Sequence, residues 1–94
     1  MPDVVHELLL TVAAIRKLGA RGISEREVEQ IPRNRHVTGS NPRGDGERRL
    51  LVGRTDGART LTLVIERTLE PSSWLVISGW NATKRERKML EAER

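Results

Sequence analysis

The hydrophobic periodicity of the chain changes at Pro32, and this change is the strongest constraint on the fold. Before it, apolar residues recur at helical spacing at five positions: Val5, Leu8, Leu9, Val12 and Ile15. This spacing predicts an amphipathic helix over residues 4–18. After Pro32, apolar residues come in short runs separated by turn residues, as they do in β-strands. The chain should therefore pack its first helices against a sheet formed by the later residues.

Two capping boxes predict where further helices begin. Ser24 and Glu27 form the first, so a short helix should follow it and end at Pro32. Thr83 and Glu86 form the second, which predicts a helix that runs to the C-terminus. In each box a hydroxyl and a carboxylate three residues apart bond each other's backbone N–H groups, so the start of the helix is well defined.

Four strands are predicted, at residues 36–38, 48–54, 59–66 and 74–80, and residues 41–46 are rich in turn formers and predict a loop. A chain of 94 residues is the size of one small domain, so residues 1–94 are assigned to a single domain. The expected fold is α+β. It has two N-terminal helices, a four-stranded antiparallel meander sheet and a C-terminal helix, with the helices on one side.

The Asp56-Gly57 pair predicts a hairpin. The length of its turn determines which side chains of the two flanking strands lie on the same face of the sheet. A two-residue turn would point four apolar residues toward the helices: Leu50, Val52, Leu61 and Leu63. Arg49 and Glu66 would then share the open face of the sheet, and Arg54 would stand opposite Arg59. A wider turn would shift the register by one residue and reverse this assignment.

Composition excludes several classes of function. The chain has no cysteine, so it has neither disulfides nor thiolate zinc sites. Aromatic residues make up 2% of the chain, too few for the base-stacking platforms of RRM or OB domains. The two tryptophans, Trp74 and Trp80, fall on one face of the last predicted strand. No carboxylate stands beside either histidine at ligand spacing, so we expect no metal site and no cofactor.

Positive charge is concentrated in two stretches of the chain. Residues 33–59 hold seven arginines and three acids, and residues 84–94 hold five basic and three acidic residues, in a chain of formal charge +4. Phosphate is the commonest partner of such stretches, and an acidic protein is the next. No apolar run could span a membrane and the N-terminus lacks a basic leader, so we expect a cytoplasmic protein.

Residues 53–64 (GRTDGARTLTLV) resemble the hairpin of BrnT-type toxins, which belong to the RelE/ParE-like superfamily of small bacterial ribonucleases. Residues 80–87 (WNATKRER) resemble the entry into the last helix of these toxins. Residues 21–28 (RGISEREV) are similar to a helix start in a related family of small domains. The likeness covers roughly residues 21–31 and 48–90, and it implies a RelE-like arrangement of the predicted elements.

The resemblance implies RNA cleavage without a metal, in which the 2′-hydroxyl of the RNA attacks the adjacent phosphate. Arginine suits the stabilisation of phosphate charge, and lysine or glutamate suits proton transfer. The candidate catalytic residues are Arg49, Glu66, Lys84 and Arg87. The candidate phosphate-binding residues are Arg54, Arg59 and Arg85. This hypothesis depends on arginines from the two basic stretches meeting on one exposed surface of the sheet.

The expected partners are RNA and an antitoxin protein, because toxins of this kind are normally encoded beside an antitoxin. The alternative is a non-catalytic module that binds nucleic acid or an acidic protein through its basic face. Three departures from the family pattern motivate it: Ala13-Ala14 replace a His-Ala pair, Trp80-Asn81 replace an arginine, and Leu90 stands near the position of a tyrosine. A homo-oligomer that uses the tryptophan strand is compatible with either reading.

Overall fold

A five-stranded sheet forms the centre of the structure, a computed structural model that describes residues 3–40 and 47–92. The elements are β1 (Glu7–Leu9), α1 (Val12–Gly19), α2 (Glu25–Gln30), a 3₁₀ turn (Ile31–Arg33), β2 (His36–Ser40), β3 (Arg48–Arg54), β4 (Thr60–Arg67), β5 (Ser73–Asn81) and α3 (Lys84–Ala92). The strand order is β1-β5-β4-β3-β2. The predicted α+β class is confirmed, whereas the loop predicted at residues 41–46 lies outside the described residues.

The prediction of one helix over residues 4–18 is wrong, because this segment forms a strand and then a shorter helix. Strand β1 pairs in parallel with β5, with Leu8 opposite Trp74, so the sheet is mixed and has five strands rather than four. Helix α1 begins after Thr11, whose hydroxyl accepts a hydrogen bond from the backbone of Ala14 at 3.1 Å. The partner of β1 lies more than 60 residues along the chain, so local periodicity contains no sign of the pairing.

The helices pack on both faces of the sheet, rather than on one side as predicted. Helices α1 and α2 cover what we call the helix-pair face, whose core includes Leu18, Ile23, Ile31, Leu63 and Trp74. Helix α3 covers the opposite α3 face, where Leu90 packs with Val52 and Val37. No helix in the described part of the chain is long and apolar enough to cross a membrane.

The hairpin between β3 and β4 has a wider turn than the predicted two-residue turn. Thr55 accepts from the Ala58 N–H and donates its own N–H to Arg59, so three residues, Asp56–Ala58, form the turn. The register is therefore shifted by one residue. Leu51 lies opposite Leu63.

This shift corrects the predicted faces. Leu61 and Leu63 lie in the helix-pair core with Leu51, whereas Val52 and Leu50 belong to the α3 face. Arg54 lies opposite Thr60 rather than Arg59, so the predicted pair of like charges across the hairpin is absent. The shift moves every β3 side chain to the face opposite its predicted one.

The two tryptophans lie on opposite faces of β5, although their spacing predicts one face. In the pairing of β4 with β5, Val64 lies opposite Ser78 and Ile65 lies opposite Val76, so Ile77 is an extra residue in β5. Such a bulge reverses the alternation of the side chains that follow it. Trp74 is fully buried in the helix-pair core, and Trp80 is half-buried beside α3.

Ala58 has a φ of +66°, which is a left-handed conformation that costs energy for a residue with a Cβ atom. Replacing Ala58 by glycine is expected to raise the free energy of unfolding by about 0.5–1 kcal/mol, because glycine has no such penalty. Urea denaturation measures the change. Gly57→Ala is the control, since Gly57 is not in this conformation and should tolerate a Cβ. A loss of stability in Ala58→Gly would contradict the expectation.

Candidate nucleic-acid interface

Helix α3 lies across the strands rather than along them. Val37, Val52, Thr62 and Trp80 are consecutive partners across β2, β3, β4 and β5 and form one row on the α3 face. The Glu86 side chain accepts hydrogen bonds from Thr62 and Trp80 at one end of this row. Leu90 packs on Val52 and Val37 at the other end. Because the helix crosses the sheet, its two flanks face opposite ends of the strands.

The Glu86 carboxylate joins the start of α3 to the sheet. It accepts from the backbone of Thr83 at 2.8 Å, which closes the predicted capping box, and also from the buried hydroxyl of Thr62 at 2.9 Å and the Trp80 indole at 3.0 Å. Burial raises the pKa of Glu86, but these hydrogen bonds outweigh it and hold the pKa below its usual value. The capping box was predictable, whereas the contacts with β4 and β5 were not.

One flank of α3 brings together cationic side chains from three parts of the chain. Arg87 donates to the Ala82 carbonyl at 2.9 Å, and the Ala82 N–H bonds Thr60, which lies opposite Arg54. Arg54 in turn bonds the backbone of Arg35, whose guanidinium donates to the Glu91 carbonyl at the other end of α3. Lys84 precedes Arg87 by three residues, so both project from this side of α3. We call the four residues Arg35, Arg54, Lys84 and Arg87 the arginine flank.

The four residues of the arginine flank form no ion pair with a carboxylate of the residues that the structure describes. Among those residues, the side chains of Arg35 and Arg87 donate to carbonyl groups, and Arg54 and Lys84 are exposed. Its four positive charges therefore face solvent together. Arg35 was missing from the predicted set, because it lies outside the hairpin and the last helix, and only the pairing of β2 with β3 brings it near Arg54.

The structure separates Arg49 and Glu66, which were predicted to share a face. Arg49 lies opposite Ile65 on the helix-pair face, and its Nε donates to Asp3 at 3.0 Å. Glu66 lies opposite Arg48 on the α3 face and accepts from it at 3.0 Å. The wider hairpin turn causes this separation, and both residues lie at the end of β3 and β4 away from the arginine flank.

Arg59 points toward α2 rather than toward α3. Its guanidinium donates to both carboxylate oxygens of Glu27 at 3.1 Å, to the Gly22 carbonyl at 2.8 Å and to Asn81 at 2.9 Å. The hydrogen bond from the Ser24 backbone, supported by Arg59, holds the pKa of Glu27 below its usual value. The Arg59 side chain therefore links the start of α2 to the end of β5 through hydrogen bonds to both.

Arg85 lies on the other flank of α3 from Arg87. It precedes Met89 by four residues, and Met89 approaches Gly39 near the far end of β2. Of the seven predicted site residues, the arginine flank thus contains three: Arg54, Lys84 and Arg87.

The arginine flank suits the binding of phosphate groups more directly than it suits proton transfer. Guanidinium groups bind two phosphate oxygens at once, and those of Arg35 and Arg87 are positioned by their hydrogen bonds to carbonyls. The Glu86 carboxylate at the start of α3 is occupied by its three donors. His36 faces the helix-pair side, near Ile31, with its Nδ1 2.8 Å from the Asn34 carbonyl oxygen.

Comparison with known proteins does not assign the chain to a family. No family model matches the chain, and no curated protein is significantly similar to it. The resemblance to BrnT-type toxins therefore stays a prediction.

Proposed function

We propose that this protein binds RNA through the phosphate groups of the RNA, which contact the arginine flank. The observation that supports the proposal is the contrast between the arginines of the chain. Arg49 and Arg59 form ion pairs with carboxylates, whereas Arg54 and Arg87 form none within the described ranges and lie on the same flank of α3. Uncompensated cations on one surface are typical of a phosphate-binding site.

The expected binding is electrostatic and depends strongly on salt. Each phosphate that a cation neutralises releases counterions, so four contacts should give a slope of about −3 for the logarithm of affinity against the logarithm of salt concentration on single-stranded RNA. A flat salt response would contradict phosphate binding. An acidic protein would use the same cations, and competition between it and RNA would identify this alternative.

The double variant Arg54→Gln/Arg87→Gln is expected to bind single-stranded RNA at least tenfold more weakly and with a salt slope shallower by about 1–2, because two phosphate contacts are lost. Fluorescence anisotropy with a labelled oligonucleotide measures both quantities. Arg16→Gln/Arg26→Gln is the matched control, since it removes the same charge from exposed positions on α1 and α2. An equal loss in both double variants would show that only net charge matters.

RNA cleavage is the second candidate function, and it is favoured by the position of Lys84 on the same side of α3 as Arg87, one helical turn before it. Two guanidinium groups could stabilise the pentacoordinate phosphate formed by attack of the 2′-hydroxyl, and Lys84 could protonate the leaving oxygen. Incubation of RNA with the purified protein in excess chelator tests this function. Cleavage that is lost in Lys84→Ala would support it, and intact RNA under conditions of full binding would rule it out and leave binding alone.

A further inference from the structure

Two guanidinium groups converge on one carboxylate at the end of the sheet away from the arginine flank. Arg49 donates from Nε to Oδ2 of Asp3 at 3.0 Å, and Arg67 donates from NH2 to Oδ1 at 2.9 Å. The two arginines come from β3 and β4, and Asp3 comes from the segment before β1. Each arginine binds a different oxygen, which is how two arginines bind a phosphate group.

Both arginines are also positioned by contacts that do not involve Asp3. Arg49 donates from NH1 to the Arg48 carbonyl at 2.9 Å. The Arg67 guanidinium stacks over the buried Trp74 ring, 4.9 Å from the ring centroid. The pair of guanidinium groups should therefore keep its geometry when Asp3 is removed.

Asp3 can leave this position without disturbing the core. Val4 is 49% exposed, whereas Val5 is 2% exposed and anchors the chain in the helix-pair core. The Trp74 indole bonds the Val4 carbonyl at 3.0 Å, which also holds the backbone behind Asp3. Rotation of the Asp3 side chain would thus remove its carboxylate from both guanidinium groups.

A phosphate is a stronger anion than the carboxylate now bound. Asp3 offers one carboxylate, and its two oxygens are shared between the two guanidinium groups. Burial raises the pKa of Asp3, and hydrogen bonds from Arg67 and Arg49 outweigh it, so the carboxylate is ionised and occupies the site at neutral pH. A phosphate carries more charge at neutral pH and can satisfy both arginines at once.

We propose that Arg49 and Arg67 form a phosphate-binding site that Asp3 occupies in cis, so that the Asp3 side chain competes with a phosphate ligand. This site lies on the helix-pair face, at the opposite end of the sheet from the arginine flank. It therefore does not depend on the proposed RNA binding by that flank.

The variant Asp3→Asn tests the proposal with inorganic phosphate as the probe. It is expected to bind phosphate at least tenfold more tightly than the unmodified chain, and the arginine Nε–H resonances of Arg49 and Arg67 should shift on titration. Asp56→Asn is the matched control, because Asp56 also pairs with an arginine, Arg33, but at a single contact. An Asp3→Asn protein that binds phosphate no more tightly than the unmodified chain would overturn the proposal.

A second variant distinguishes phosphate binding at this site from a general effect of added positive charge. Adding Arg67→Gln to Asp3→Asn should abolish the gain, and a gain that persists would overturn the proposal. If Asp3→Asn does not fold, Asp3→Ser provides the same test, since Val4 and Val5 still anchor the segment. The phosphate-dependent shifts of the Arg49 and Arg67 Nε–H resonances report on this site alone, which distinguishes it from phosphate binding at the arginine flank.

Discussion

Replacement of Gly53 by alanine is expected to lower the free energy of unfolding by about 2–3 kcal/mol, because the added methyl group has no space. A Cβ at this position would lie 2.5 Å from Cγ2 of Ile31 and 3.0 Å from Cβ of His36. Ile31 is fully buried and β-branched, so it cannot turn aside, and the His36 Cβ is fixed by its backbone. The strand β3 would have to move away from the 3₁₀ turn.

Equilibrium urea denaturation measures this effect, and Gly19→Ala provides its control. A Cβ at Gly19 has nothing within 4 Å, and the residue ends helix α1, so this change should be neutral or slightly stabilising. Similar losses in the two variants would contradict the packing argument. Gly53 also precedes Arg54, so the same substitution should weaken RNA binding if the arginine flank binds RNA.

Replacement of Glu86 by alanine is expected to lower the free energy of unfolding by about 2–3 kcal/mol, since it leaves the hydroxyl of Thr62 and the indole of Trp80 without their acceptor. The start of α3 also loses its capping box. Chemical denaturation measures the loss, and hydrogen exchange should show that α3 opens more often. Glu91→Ala is the matched control, because Glu91 is exposed on the same helix and its side chain has no ion pair with a described residue.

The effect of Glu86→Ala should depend on pH with a definite sign. A carboxyl group whose pKa is lower in the folded protein stabilises it fully above the unfolded pKa of about 4.3 and loses that contribution as pH falls through the folded value. Glu86 has such a lowered pKa. The stability difference between Glu86→Ala and the unmodified chain should therefore be constant near neutral pH and shrink below about pH 4. A difference that grows on acidification would contradict this role.

Features that depend on neighbouring residues were predictable from the sequence. Ser24 with Glu27 and Thr83 with Glu86 form the predicted capping boxes, because their partners lie three residues apart. Four of the five strands, β2 to β5, were also located to within about two residues, since alternation and turn residues are local signals. These signals sufficed for the α+β class.

The prediction of the site was incomplete because a sequence shows which residues are charged but not on which face of the sheet each side chain lies. Arg49, Arg54 and Arg59 are equivalent as letters in the basic stretch. The structure pairs the first with Asp3 and the last with Glu27, and exposes only Arg54 beside α3. Neither carboxylate lies near its arginine in the sequence, so no local pattern could show which cations are neutralised.

The sequence by itself determined where most helices and strands lie, which residues cap two of the helices, and that positive charge is concentrated in two stretches. Only the tertiary structure decided the register of the hairpin, the bulge at Ile77 and the pairing of β1, and these decide the face on which each side chain lies. The physical reason is that side chains alternate along a strand, so a single extra residue moves all that follow to the other face. Packing between segments that are distant in the sequence determines the register, and so the face on which each side chain lies.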